Sequence, residues 1–353
     1  MNEAGLTTAR ESLLKGFSKR SGTAKCPAGN SVAFSLPDHW VWDFWLADDG
    51  RSFHLFFLHA PHSLGDPELR HRNARIGHAT SADLIEWAYQ GQVFDVGPPG
   101  SFDATATWTG SVVRGPDGLW RMFYTGSRFP SPVAATNIET IGVATSADLF
   151  SWSKQPGPIV SADPRWYETL GTSSWPEEAW RDPWVFPDPA GQGWHMLITG
   201  RVNEGADEGR GVVAHATSSD LVTWRVQPPL SAPQSGFGHL EVPQLIAIDG
   251  RAVLVFCCNA PRLANARKGQ IGGIWTAPAV GPAGPFDIAA ATLLVDERYY
   301  AGRVVQDREG RWNLLAFTLN LPGQPFRGEI TDPMPLAWDA GRIVLDPAVR
   351  GAA

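Results

Sequence analysis

With 353 residues, 43% of them hydrophobic and 18% charged, the chain holds ample apolar material for a core and shows no compositional mark of disorder. Acidic side chains outnumber Lys and Arg by 36 to 29, a net charge of −7, and no basic run occurs, which argues against a nucleic-acid partner. No stretch of about 18 uncharged apolar residues is present, so no membrane-spanning helix is expected.

From the N-terminus, residues 1–30 read as an extension in which Thr8 to Phe17 can form a short helix, with Leu13, Leu14 and Phe17 on one side. Arg10, Glu11, Lys15, Lys19 and Arg20 leave this segment without the apolar run of a Sec signal peptide. The 3 Cys (Cys26, Cys257, Cys258) cannot complete a disulfide framework, so a reducing, cytoplasmic setting is expected. Vicinal Cys257 and Cys258 read as core rather than redox residues.

Beyond the extension the chain repeats. Ala79-Thr80-Ser81-Ala82-Asp83-Leu84-Ile85-Glu86-Trp87 returns as Ala144-Thr145-Ser146-Ala147-Asp148-Leu149-Phe150-Ser151-Trp152 and as Ala216-Thr217-Ser218-Ser219-Asp220-Leu221-Val222-Thr223-Trp224. In each copy Ser-x-Asp-Leu reads as a turn capped by its own side chains, after which Trp packs between sheets. Strand-like segments precede the copies at Phe53–Leu58, Leu119–Tyr124 and Trp194–Thr199, and two more follow at Ala252–Cys257 and Trp312–Phe317. Asp49-Gly50, Asp117-Gly118, Asp249-Gly250 and Glu309-Gly310 supply turn signals before four of the five. Five such units, with 16 Trp, 37 Gly and 29 Pro, predict an all-β fold: a five-bladed β-propeller over 31–353, in a single domain without a C-terminal β-sandwich. Ile343-Val344-Leu345 is expected to give an outer strand of the last blade.

A propeller converges its inner strands on one mouth, where polar residues distant in sequence meet. Three carboxylates stand on predicted inner strands among aromatic or apolar neighbours: Asp43 in Trp42-Asp43-Phe44-Trp45, Asp182 in Trp180-Arg181-Asp182-Pro183-Trp184, and Glu241 in His239-Leu240-Glu241-Val242-Pro243. Burying an unpaired carboxylate costs several kcal/mol, which argues for a purpose. On a regular strand Arg181 and Asp182 face opposite ways, leaving Asp182 to face the axis. The apolar neighbours of Glu241 predict a raised pKa. Such a trio with aromatic walls suits glycoside cleavage, in which one carboxylate stabilises or attacks the oxocarbenium-like carbon and an acid protonates the leaving oxygen.

Trp42-Asp43, Trp108-Thr109-Gly110-Ser111, Arg181-Asp182-Pro183 and Glu241-Val242-Pro243 resemble, in order, the signature blocks of glycoside hydrolase families 32 and 68, the invertase and levansucrase clan. The likeness runs from about Pro37 to Asn320. It implies a retaining hydrolase or transglycosylase acting on β-fructofuranosides such as sucrose, fructo-oligosaccharides or fructans. It further implies Asp43 as nucleophile, Asp182 as transition-state stabiliser and Glu241 as acid/base, with Trp42, Trp108, Ser111 and Arg181 as substrate-binding residues. Trp40, Trp45 and Trp184 are further candidates for a sugar-stacking wall. The resemblance allows a structural Ca²⁺, but no Asp-rich loop here names ligands, and no metal or cofactor motif occurs. Two other readings stay open: a family 43-like arabinofuranosidase or xylosidase, and a non-catalytic carbohydrate-binding propeller. The partner in each case is a small carbohydrate, and the oligomeric state is not legible.

Overall fold

The computed structural model of the protein describes residues 32–347, apart from 282, 320 and 322. The proposed helix at Thr8 to Phe17 and Cys26 lie outside the described residues. Four of the predicted units are four-stranded antiparallel sheets in sequential order. Blade I comprises His39–Asp48, Phe53–Pro61, Arg75–Ser81 and Ala88–Phe94; blade II comprises Ala106–Arg114, Trp120–Arg128, Ile138–Ser146 and Ser153–Lys154. Blade III comprises Arg181–Pro187, Trp194–Arg201, Gly211–Ser218 and Trp224–Gln227; blade IV comprises Glu241–Ile248, Arg251–Cys258, Gly273–Pro278 and Thr292–Asp296. Blade V begins with Tyr299–Gln306 and Trp312–Thr318 and is completed from two sources. Met334–Asp339 and Arg342–Leu345 form its outer part at one end, as expected for Ile343 to Leu345. At the other end Ile330–Thr331 pairs with Phe317 and also with Val32–Phe34, so the first described strand clasps the last blade. This is a five-bladed β-propeller.

The five strand-like segments of the sequence all become second strands, and their burial explains why they stood out. Such a strand is covered on both faces by adjacent blades, so Leu55, Phe56, Phe57, Met196, Leu197, Leu254 and Phe256 are fully buried. The turn before each strand is closed by a glycine in the left-handed region, for example Gly50 at φ 86° and Gly118 at φ 81°. Cys257 and Cys258 are buried free thiols, in agreement with a core role.

The repeated Ser-x-Asp-Leu segment is a structural device. In blade I, Ser81 Oγ accepts from the amides of Asp83 and Leu84, and Asp83 Oδ1 accepts from those of Ile85 and Glu86. The same bonds recur around Ser146 and Asp148 and around Ser218 and Asp220. The tight turn forces Leu84, Leu149 and Leu221 to φ of 68°, 67° and 63°, a cost offset by burying each leucine. The tryptophans then reach the preceding blade. Trp152 meets Phe56 edge-on at 5.6 Å, and Trp224 meets Phe123 at 5.4 Å.

Candidate active site

Every inner strand breaks its ladder near the start. The register shifts between Trp42 and Phe44, Trp108 and Gly110, Arg181 and Trp184, Glu241 and Gln244, and Tyr300 and Arg303. A bulge leaves residues unpaired and re-aims their side chains. Here five of them ring the axis, with Asp182, Val242 and Ala301 at φ of 58°, 53° and 47°. A β-branched residue such as Val242 seldom adopts that conformation, and the strain has a local return. Its amide points inward and donates to Asp182 Oδ2 at 3.1 Å.

Around these bulges lies a cavity of about 740 Å³ whose lining includes Trp42, Asp43, Trp108, Thr109, Arg181, Asp182, His239, Glu241 and Tyr300. The three carboxylates named from the sequence therefore share one cavity, together with Trp42, Trp108 and Arg181. Asp43 Oδ2 accepts a 2.7 Å hydrogen bond from the Thr109 hydroxyl. Burial and the neighbouring charge of Asp182 push its pKa up to about 7, against the pull of Thr109. Asp182, also raised by burial, receives the Thr199 hydroxyl at 2.9 Å on the same oxygen as the Val242 amide. Beneath them the buried Arg303 donates to the carbonyls of Phe44, Val242 and Pro243 and keeps a positive charge under both aspartates.

Three expectations are corrected here. Ser111 does not line the cavity; it is buried, and its Oγ accepts the Val185 amide at 3.1 Å, tying blade II to blade III. The bulge at Thr109 shifts the alternation by one, so Thr109 takes the inward place that a regular strand assigns elsewhere. Arg181 and Asp182 do not face opposite ways: the positive φ of Asp182 brings both to the cavity, with Arg181 Nε 3.7 Å from Asp182 Oδ2. Glu241 has a lowered pKa, about 2, rather than a raised one. Its desolvation is outweighed by His239, by the Arg181 guanidinium, 2.8 Å from Oε1, and by the Tyr300 hydroxyl on Oε2. Apolar neighbours in sequence are thus not its neighbours in space. Of the other tryptophans, Trp45 is wholly buried, Trp40 packs on His62, and Trp184 borders a smaller cavity with Arg303; none lines the site.

Several site residues had no signal of their own in the sequence. Glu139 and Glu177 hold Arg181 Nη1 at 2.9 and 3.2 Å from the side opposite Glu241. Tyr300 and Arg303 flank the fifth bulge, and aligning all five inner strands on their ladders would have exposed them together with Thr109. A short helix, Arg70–Asn73, forms part of the rim, where the His71 carbonyl accepts from Trp108 Nε1 at 2.8 Å and Arg70 lies over the Trp42 ring. Among the described residues no group of three or more His, Cys, Asp or Glu is placed to hold a metal ion.

The family model for the N-terminal domain of the family 32 glycosyl hydrolases matches residues 46–324. The chain belongs to glycosyl hydrolase family 32. This membership excludes the family 43 reading. Among curated family 32 relatives, β-fructofuranosidase 1 of Zea mays is 26% identical over 76% of this chain and 36% of its own length. The insoluble β-fructofuranosidase isoenzyme CWINV5 of Arabidopsis thaliana is 30% identical over 54% of this chain and 32% of its own. The chain thus spans about a third of the length of these relatives. Inulosucrase from Halalkalicoccus jeotgali, solved with kestose, superposes with a TM-score of 0.74 at 21% identity, covering 90% of this chain and 89% of that one. Levansucrase of Bacillus subtilis superposes at 0.70 with 14% identity, covering 92% and 90%. At these identities the likeness is one of fold. The family match begins after Asp43, so the placing of Asp43 rests on its geometry.

Proposed function

We propose that the protein is a retaining β-fructofuranosidase or fructosyltransferase that works through a covalent fructosyl intermediate on Asp43. The observation that carries this reading is the convergence of Asp43, Asp182 and Glu241, from three inner strands, on one cavity of a family 32 chain. In the first step the Asp43 carboxylate attacks the anomeric carbon of a terminal fructosyl unit while Glu241 gives its proton to the departing glycosidic oxygen. In the second, Glu241 takes a proton from water or a sugar hydroxyl, whose oxygen attacks the same carbon and releases Asp43. Asp182, locked by Thr199 and the Val242 amide, is a fixed acceptor for ring hydroxyls and a fixed negative charge beside the developing cation. Arg181 holds Glu241 Oε1 with a charged donor and Oε2 takes only the neutral Tyr300 hydroxyl, so Oε2 is the oxygen assigned the transferred proton.

The test is incubation of the protein with sucrose and with short fructans, followed by chromatographic separation of glucose, fructose and longer products. Equal glucose and fructose from sucrose indicate hydrolysis, and glucose in excess indicates transfer to sugars. Asp43→Ala, Asp182→Ala and Glu241→Ala are each expected to lower turnover by at least about 10³-fold while remaining folded. Near-full activity in Asp43→Ala, or no cleavage of any fructoside by the unaltered protein, overturns the proposal.

A further inference from the structure

One buried side chain of the cavity has no part in the scheme above. His239 lies two residues before Glu241, is 5% exposed and lines the cavity. Its Nδ1 is 3.3 Å from Arg181 Nη2. A guanidinium can only donate, so Nδ1 accepts and the ring hydrogen of neutral His239 sits on Nε2, a tautomer assigned from the network. Nε2 is buried, 3.1 Å from Glu241 Oε2, yet not aligned to bond it and without another protein partner. The ring cannot easily turn. Trp175 meets it edge-on at 5.7 Å and is itself held between the guanidinium groups of Arg201 and Arg262, at 3.6 and 4.2 Å. The charged groups acting on His239 are Glu241, Arg181, Glu177 and Arg262. Burial dominates and pushes its pKa down to about 4, so the imidazole is neutral around pH 6.

We infer that His239 is a specificity-determining donor for the leaving sugar. Its Nε2–H bonds either the departing oxygen or the hydroxyl next to it. The argument is one of distance. Nε2 and Oε2 are 3.1 Å apart, so an oxygen placed to receive the proton of Glu241 also lies within reach of the imidazole N–H, or carries a neighbouring hydroxyl that does. A neutral, pre-aimed donor stabilises negative charge growing on that oxygen without itself transferring a proton. A leaving group with hydroxyls benefits, and one without them gains little.

This inference rests on the fructoside reading, and the experiment separates the two. The substrates are sucrose and 4-nitrophenyl β-D-fructofuranoside, whose leaving group bears no vicinal hydroxyl and departs without strong acid help. His239→Leu is expected to lose about 10- to 100-fold in kcat/KM on sucrose and less than about threefold on the aryl fructoside. His239→Gln, which restores an amide donor, is expected to regain part of the loss on sucrose only. Equal losses on both substrates, or none on sucrose, overturn the inference while leaving the fructosidase reading intact. Failure of the unaltered protein on both substrates instead overturns that reading. A readout independent of turnover is the ¹⁵N NMR spectrum of the histidines in the resting protein: His239 is expected as the Nε2–H tautomer, neutral at pH 6. An imidazolium at that pH or the Nδ1–H tautomer contradicts the assignment.

Discussion

At the scale of single residues the site divides one proton between two carboxyl groups in an inverted way. In the scheme proposed above Asp43 attacks ionised and Glu241 acts protonated, yet Asp43 holds its proton up to about pH 7 and Glu241 is ionised down to about pH 2. Between those limits the pair carries one proton, mostly on Asp43, and the productive arrangement is its minor tautomer. The fraction in that tautomer is constant until the last proton leaves. The plot of kcat/KM against pH is therefore expected to be flat in weak acid and to fall tenfold per unit above about pH 7; a rise through pH 7 contradicts the assignment. The same shift has a stability counterpart. An acid whose pKa is raised by folding, here from 3.8 to about 7, weakens the folded state as pH climbs through that window, and the penalty is complete above it. Asp43→Asn is expected to raise stability at pH 8 by on the order of 2 kcal/mol while abolishing turnover, and to give no such gain at pH 4, as thermal unfolding at the two pH values will show.

Among the elements, blades I and III share a feature that the repeat did not announce. His54 on the second strand and His78 on the third stack at 5.1 Å with Nδ1 2.9 Å from Nε2, and His195 and His215 do the same at 5.2 Å and 2.9 Å. Each pair shares one hydrogen, so a second proton puts like charges face to face inside the sheet. Burial lowers the pKa of His54, brings His78 to about 3 and His215 to about 4. A histidine depressed by folding supports the native state above pH 6.5 and withdraws that support as pH falls below it. Between pH 6.5 and 4 this loss runs against the gain from Asp43, so the prediction is differential: the double variant His78→Gln with His215→Gln is expected to keep more of its pH 6.5 melting temperature at pH 4 than the unaltered protein. An equal change in both proteins removes the pairs from the explanation. The strands that carry these pairs were legible because double-sided burial writes long apolar runs, and the turns because Ser and Asp stand where backbone amides need acceptors. The inner strands were legible only in part. Asp43, Asp182 and Glu241 stood out as charges in apolar surroundings, but the bulges beside them cancel period-two reasoning. That is why nothing in the strand pattern marked Thr109 for the cavity or removed Ser111, which only the resemblance had placed there, and why the charges around Glu241, brought by Arg181 and His239, could not be inferred from its sequence neighbours.

For the whole molecule, a short antiparallel clasp between Val32–Phe34 and Ile330–Thr331 ties the first described strand into the last blade, beside the direct blade V to blade I bonds of Arg303 with the Phe44 carbonyl and of Arg308 with Asp48. Phe34 is buried and meets Phe57 of blade I at 4.8 Å, so one side chain links the clasp to the blade that bears Asp43. Phe34→Ala is expected to cost about 3–5 kcal/mol in urea unfolding, the range of a large core truncation. A cost below about 1 kcal/mol shows that the ring is held by its other interfaces alone. The five bulges carry a different consequence. Each frees one or two residues from the ladder at the mouth, while the remainder of every inner strand stays paired. Asp43, Thr109 and Asp182, freed in this way, line the cavity, whereas Val242 and Ala301 stay in the core. The bulges thus hold Asp43, Thr109 and Asp182 at places a regular ladder does not give, and variants that accept a new sugar should be sought at cavity residues outside the bulges, such as those on the Arg70–Asn73 rim.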